Sequence, residues 1–134
     1  MTYDNQELVR RFVEAENAHD VEALSQLAAP DARVYGNGLL IADSWAGYRP
    51  IVEATLAAFP DSRREVSFIA SDDEIVAFRW TVTGTHKAPW RGIPASGNLV
   101  TFNGTTWIRN RDGRIAEAWF DMDMSGPIQH MTAK

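Results

Sequence analysis

Residues 99–124 read LVTFNGTTWIRNRDGRIAEAWFDMDM, two alternating runs around Asn110-Arg111-Asp112-Gly113. Alternation of period two marks a strand, and a glycine closing a three-residue loop predicts a type I turn with a bulge. Turn type fixes which residues face one another. With Asn110 opposite Arg114, Ile108 faces Ala116, Thr106 faces Ala118, Gly104 faces Phe120 and Phe102 faces Met122. On the other surface Trp107 meets Glu117, Thr105 meets Trp119, Asn103 meets Asp121 and Thr101 meets Asp123. One face is dry and the other is rich in hydrogen-bonding groups. Whether Phe120 or Asp121 looks inward decides whether an interior site has this carboxylate to work with.

Upstream, REVSFIA (64–70) and EIVAFRWTVTG (74–84) read as strands joined at Asp72-Asp73. In the second, Val76, Phe78, Trp80 and Val82 form the apolar face. Residues 85–98 carry glycine and proline at loop density. Toward the N-terminus, Asp4 and Glu7 have the spacing of a capping box. Leu8, Phe12, Ala15 and His19 then recur at helical spacing, giving a helix to about Ala18. Asp20 caps a short helix, Val21 to Leu27, which Pro30 ends. RVYGNGLLI (33–41) is a hairpin on Asn37-Gly38, and a third helix runs from about Gly47 to Phe59 with Pro50 in its first turn. Three helices followed by a curved antiparallel meander make one α+β domain over residues 1–134.

Composition narrows the function. The chain has 134 residues, 45% apolar and 23% charged, with a net charge of −5. That is globular composition, and it lacks the basic footprint of nucleic-acid binding. No run is long enough to span a membrane, and Met1 to Arg10 lacks the pattern of a secretory signal; a cytoplasmic location is expected. With no cysteine, disulfides and thiolate chemistry are excluded. His19, His86 and His130 show no metal-ligand spacing. Gly92 and Gly97 serve loop turns with no helix behind them to cradle a phosphate. No metal and no cofactor are expected.

The candidates for chemistry are few. Asp121 and Asp123 are carboxylates two residues apart on one face, an arrangement that raises one pKa if buried; the competing reading has Asn103 and Thr101 satisfying them on the outer face. His86 extends the Val76–Val82 face, and histidine is the residue suited to proton transfer near neutrality; its structural alternative is to tie down the loop after it. Tyr35, Asn37, Thr106 and Trp80 are polar-tipped residues able to orient a ligand. Phe12, Trp45, Phe59, Phe78, Trp90 and Phe102, with Ala118, Phe120 and Met122, are candidate pocket walls. Any one aromatic is ordinary core, but five Trp and six Phe in so small a domain suit an apolar ligand site.

Several stretches carry a resemblance. Gly84-Thr85-His86, Gly92-Ile93-Pro94-Ala95-Ser96-Gly97, RDGRI (111–115), Glu117-x-Trp119 and Asp123-x-x-Gly126, with AAFPD (57–61) and WTVTGTH (80–86), resemble the SnoaL-like polyketide cyclases. The resemblance implies a cone-shaped α+β barrel of the nuclear transport factor 2 superfamily, with helices and a curved sheet around an apolar pocket. It also implies an Asp general acid/base one residue after Trp119, and a pocket Gln and His. In this chain those positions hold Phe120, Gly104 and Thr106. The ketosteroid isomerase groups of the same scaffold would fall on Phe12, Gly36 and Thr106, so they too are absent.

The expected function is therefore a small cofactor-independent tailoring enzyme. It would fold a hydrophobic, polyketide-like intermediate and promote cyclisation or isomerisation through shape, with His86, Tyr35, Asn37 or Thr106 polarising a carbonyl. A non-catalytic binding module of the same fold is the alternative. An epoxide hydrolase-like enzyme using Arg79 or Arg109 with Asp121 is a second. The superfamily and two exposed indoles, Trp107 and Trp119, suggest a homodimer through the sheet.

Overall fold

The computed structural model describes residues 4–134. Helix α1 (Asn5–Asn17) begins where Asp4 accepts from the amides of Gln6 and Glu7, satisfying donors that a helix start leaves free. Glu7, expected to reach back to Asp4, is instead held by Arg10 at 2.6 Å and Arg11 at 3.1 Å, a charge-assisted pairing stronger than a neutral cap. Asp20 caps α2 (Val21–Leu27) through the Ala23 amide.

Strand β1 (Ala28–Gly36) and β2 (Leu39–Ala42) form the expected hairpin, with Asn37 and Gly38 both at positive φ (48° and 86°). Pro30 does not end α2, which stops at Leu27 with β1 already starting at Ala28. It sits where the ladder to the neighbouring strand breaks between Ala28 and Arg33, the place for a residue with no N–H to donate. Ser44 caps α3 (Trp45–Ala58) through Gly47, so the helix starts earlier than its sequence pattern suggests. Pro50 consequently lies in the second turn, and the helix forgoes one backbone bond there.

β3 (Arg63–Ser71), β4 (Ile75–Thr85), β5 (Leu99–Arg111) and β6 (Arg114–Met122) follow. The six strands form one sheet in the order β2-β1-β6-β5-β4-β3. The α+β class with helices on a curved sheet is as expected; the sheet is open, and it is mixed rather than wholly antiparallel because β1 runs parallel to β6. A fourth helix, α4 (Ser125–Thr132), was not apparent from the sequence. Asp123 starts it by accepting from the amides of Ser125 and Gly126. A Cβ on Gly126 would meet the Asp123 Oδ2 at 2.7 Å, which explains the Asp123-x-x-Gly126 pairing.

The β5–β6 turn differs from the expected three-residue loop. Asp112 and Gly113 alone turn the chain, both at positive φ (56° and 83°), with Arg111 opposite Arg114. Ala116 is then bulged out between Ile115, opposite Asn110, and Glu117, opposite Arg109. The observed pairs are Ile108–Ala118, Thr106–Phe120, Gly104–Met122, Trp107–Trp119 and Thr105–Asp121. Beyond the bulge the displacement is two residues, so those side chains keep their expected faces, while before it Ile115 is turned inward into the core. On the inner face Val76, Phe78, Trp80, Phe102 and Ile108 pack with Leu8 and Val9 of α1, Phe59 after α3 and Met131 of α4. Burying a ring such as Phe78 contributes about 1.5–3 kcal/mol.

Candidate functional site

His86 continues the inner face of β4 and is fully buried. The Ser96 amide donates to its Nδ1 at 3.3 Å, and Ser96 Oγ lies 3.0 Å from the same nitrogen. A backbone N–H can only donate, so Nδ1 holds a lone pair and the ring proton sits on Nε2. That Nε2 is buried without a hydrogen-bond partner. The ring stacks on Phe59 at 5.4 Å, and Phe59, Trp90 and Phe102 meet one another edge to face at 5.3–6.1 Å. Two backbone bonds at the base of the following loop, His86 to Asn98 and Gly97 to His86, hold this corner in place.

Beside it, Trp80 donates its indole N–H to Thr106 Oγ at 2.8 Å. Gly104 makes room for this, since a Cβ there would stand 2.6 Å from Trp80 Cζ2. The indole thus covers the two inner positions that the resemblance assigns to a Gln and a His. Phe120 lies on the inner face across Gly36, where a Cβ would meet its ring at 2.5 Å. Phe12, Ala118 and Met122 are partly buried against the same core.

Four expected site residues stand elsewhere. Tyr35 stacks flat on Trp119 at 5.8 Å, its cross-strand partner on the outer face. Asp121 is exposed opposite Thr105 on that face. Asn37 is a turn residue whose side-chain oxygen accepts from the Met122 amide at 2.8 Å. Trp45 donates to Ser25 Oγ at 2.8 Å, joining α3 to α2. Arg79 is exposed, and Arg109 is taken by Glu74 and Glu117.

The structure adds a cluster that the sequence did not reveal. Asn17, at the end of α1, accepts from the Arg64 amide at 2.7 Å and donates to its carbonyl at 3.1 Å. This clamp turns the Arg64 side chain inward, leaving it 12% exposed. Its guanidinium lies 4.5 Å from the Trp80 ring centre and 5.5 Å from that of Phe12. Glu16, 21% exposed, takes one Nη2 proton at 3.1 Å, while Nε and Nη1 are buried without partners. Nearby Tyr48 has its phenol pushed up to about 12, first by burial and then by the Glu16 charge; Arg64 and Arg91 act against this. Glu16 lies one helical turn beyond Phe12 on the inner stripe of α1, the one signal in the sequence that pointed inward.

Two clefts lie outside this interior. One of about 660 Å³ lies between α1, α2 and the β5–β6 turn, and one of about 410 Å³ runs along the Arg109–Glu117 ion pairs. Inside, the rings of Phe59, Trp90 and Phe102 pack edge to face on one another.

The chain thus combines an open, mixed sheet with helices against its inner face and an aromatic interior. The family model of the SnoaL-like polyketide cyclases matches residues 6–131. The chain belongs to that family. No curated protein sequence matches it. Among solved structures, this SnoaL-like chain is similar to AclR of Streptomyces galilaeus, described as a candidate hydroxylase (28% identity, 94% of this chain and 79% of that one, TM-score 0.86). It is also similar to IdmH of Streptomyces antibioticus, described as a candidate polyketide cyclase (27% identity, 96% and 99%, TM-score 0.83). A SnoaL-like protein of Jannaschia sp. CCS1 shares the fold at 19% identity, with 97% and 92% covered and a TM-score of 0.88. Family membership supports a cyclase-like role in general terms. No helix among the described residues is long and apolar enough to cross a membrane.

Proposed function

We propose that this single SnoaL-like domain is a cofactor-independent, cytoplasmic enzyme that takes a hydrophobic, polyketide-like intermediate into its aromatic interior and promotes ring closure or isomerisation. The observation that carries this reading is the buried, unpartnered Nε2–H of His86. A buried donor left without an acceptor costs about 1–3 kcal/mol, and a substrate carbonyl would satisfy it while being polarised. The partly buried Phe12, Met122 and Met124 form the adaptable side of the interior, because methionine repacks around a guest at little cost. Phe120 on the inner face, where the resemblance puts an Asp, leaves orientation and carbonyl polarisation as the main sources of rate.

The test is turnover of a tricyclic aromatic compound bearing a β-keto ester side chain, followed by chromatography. Closure faster with native protein than with heat-denatured protein is the expected result. Equal rates, with binding of the same compound intact, would leave the non-catalytic binding module. The epoxide hydrolase reading has less support, since Arg79, Arg109 and Asp121 all stand on the outer face.

We also propose a homodimer through the sheet. Ala70, Ala77, Trp107, Trp119, Tyr35 and Leu40 are successive cross-strand partners, and they make an apolar row across its outer face. Trp107 is 46% exposed, an unusual cost for an indole on a monomer. Sedimentation at micromolar concentration is expected to show a dimer that Trp107→Glu converts to a folded monomer. A wild-type monomer would sink this reading.

A further inference from the structure

Resting on the reading of the interior as a ligand site, we propose that Arg64 is a recognition point for a delocalised oxyanion, a carboxylate or the enolate of a 1,3-dicarbonyl, on an apolar ligand. Arginine carries five N–H donors. Glu16 takes one at Nη2, and the one on Nε and the two on Nη1 have no acceptor although both nitrogens are buried. A guanidinium that only braced α1 against β3 would need none of these, because Asn17 already joins the two backbones. Trp80 and Phe12 hold the cation by their ring faces, which leaves its N–H edges directed outward in the guanidinium plane.

The surrounding charge suits an anion. Arg91, on the positive-φ turn Trp90–Ile93, lies over the Trp90 ring at 4.6 Å and meets Met124 Sδ at 3.9 Å. Among the described residues it has no carboxylate partner. At the Tyr48 phenol, Arg91 and Arg64 both act against the Glu16 charge. The Tyr48 phenol is pushed up to about 12, first by burial, so it brings no competing charge. Planar oxyanions fit a guanidinium edge, and the apolar body of such a ligand would lie on the neighbouring aromatic faces.

Calorimetric titration of 2-naphthoate and its neutral isostere 2-naphthamide tests this. Wild-type protein is expected to bind naphthoate about 10-fold or more tightly than the amide. Arg64→Met should remove that preference by weakening naphthoate far more than the amide. Arg91→Asn, which suits the positive φ, should weaken naphthoate binding several-fold and reduce its salt dependence. This second variant keeps the test open if Arg64→Met folds poorly. Equal binding of both probes to wild type, or an undiminished preference in Arg64→Met, overturns the oxyanion assignment and leaves the ligand-site reading standing. Binding of neither probe overturns both.

Discussion

Glu16→Gln is expected to destabilise the fold by roughly 3–5 kcal/mol, a large share of a small domain's stability. The carboxylate that compensates the Arg64 charge lies 3.1 Å from Nη2, and both side chains are largely removed from water. Neutralising Glu16 leaves the guanidinium charge facing a neutral amide and the rings of Trp80 and Phe12, whose faces offset a buried cation by about 2 kcal/mol. A double-mutant cycle separates this from loss of packing. Arg64→Met fills the same volume with apolar atoms, and Glu16→Gln/Arg64→Met should regain most of what Glu16→Gln loses, because a well-packed replacement of a buried ion pair is often neutral or better. Urea unfolding of the four proteins, with unchanged m-values, is the measurement. Losses that simply add would mean that the two residues act independently, and the pair would have to be read as a surface contact. Recovery in the double variant would show that the ion pair is dispensable to the fold, which is what a residue kept for ligand recognition predicts.

Much of the fold is legible in local sequence. Asp4, Asp20 and the Asn37-Gly38 turn act where their chemistry says they should, because each is decided by neighbours a few residues away. The inner and outer faces of β5 and β6 are legible too, since strand parity survives an even slip. The details that fail depend on choices between two local solutions. Asp112-Gly113 is itself a sufficient two-residue turn, and the bulge at Ala116 absorbs what the longer loop would have absorbed. α4 was missed because its start depends on Asp123, which lies outside the helix and needs Gly126 to approach its amides.

The site is less legible than the fold. His86 could be placed from alternation alone, and Phe120 from parity. Tyr35 could not, because β1 joins β6 in parallel across the whole chain and only that pairing turns its ring onto Trp119. Arg64 and Glu16 read as ordinary surface charges. The inward position of Arg64 comes from the Asn17 clamp between residues 47 apart in sequence; no periodicity within β3 reports it, and the only local hint is Glu16's place one turn beyond Phe12.

His86→Phe is expected to lower the turnover of the proposed closure by about 100- to 1000-fold while changing KM little. A phenyl ring can retain the stack on Phe59 at 5.4 Å and the contacts with the Trp90 and Phe102 corner. It removes the Nε2–H, and it also takes the acceptor from the Ser96 amide, at a cost of about 1 kcal/mol to the fold. If the Nε2–H stabilises charge developing on a substrate oxygen, that interaction strengthens in the transition state, so its loss falls on kcat. Ser96→Ala is the companion measurement. It deletes the hydroxyl 3.0 Å from Nδ1 but keeps the backbone N–H that fixes the tautomer, so its effect should be about 10-fold or less. A ranking in which Ser96→Ala is as damaging as His86→Phe would mean that the pair only holds the loop. Unchanged turnover in folded His86→Phe would remove His86 from the chemistry altogether, and the rate would have to come from shape alone.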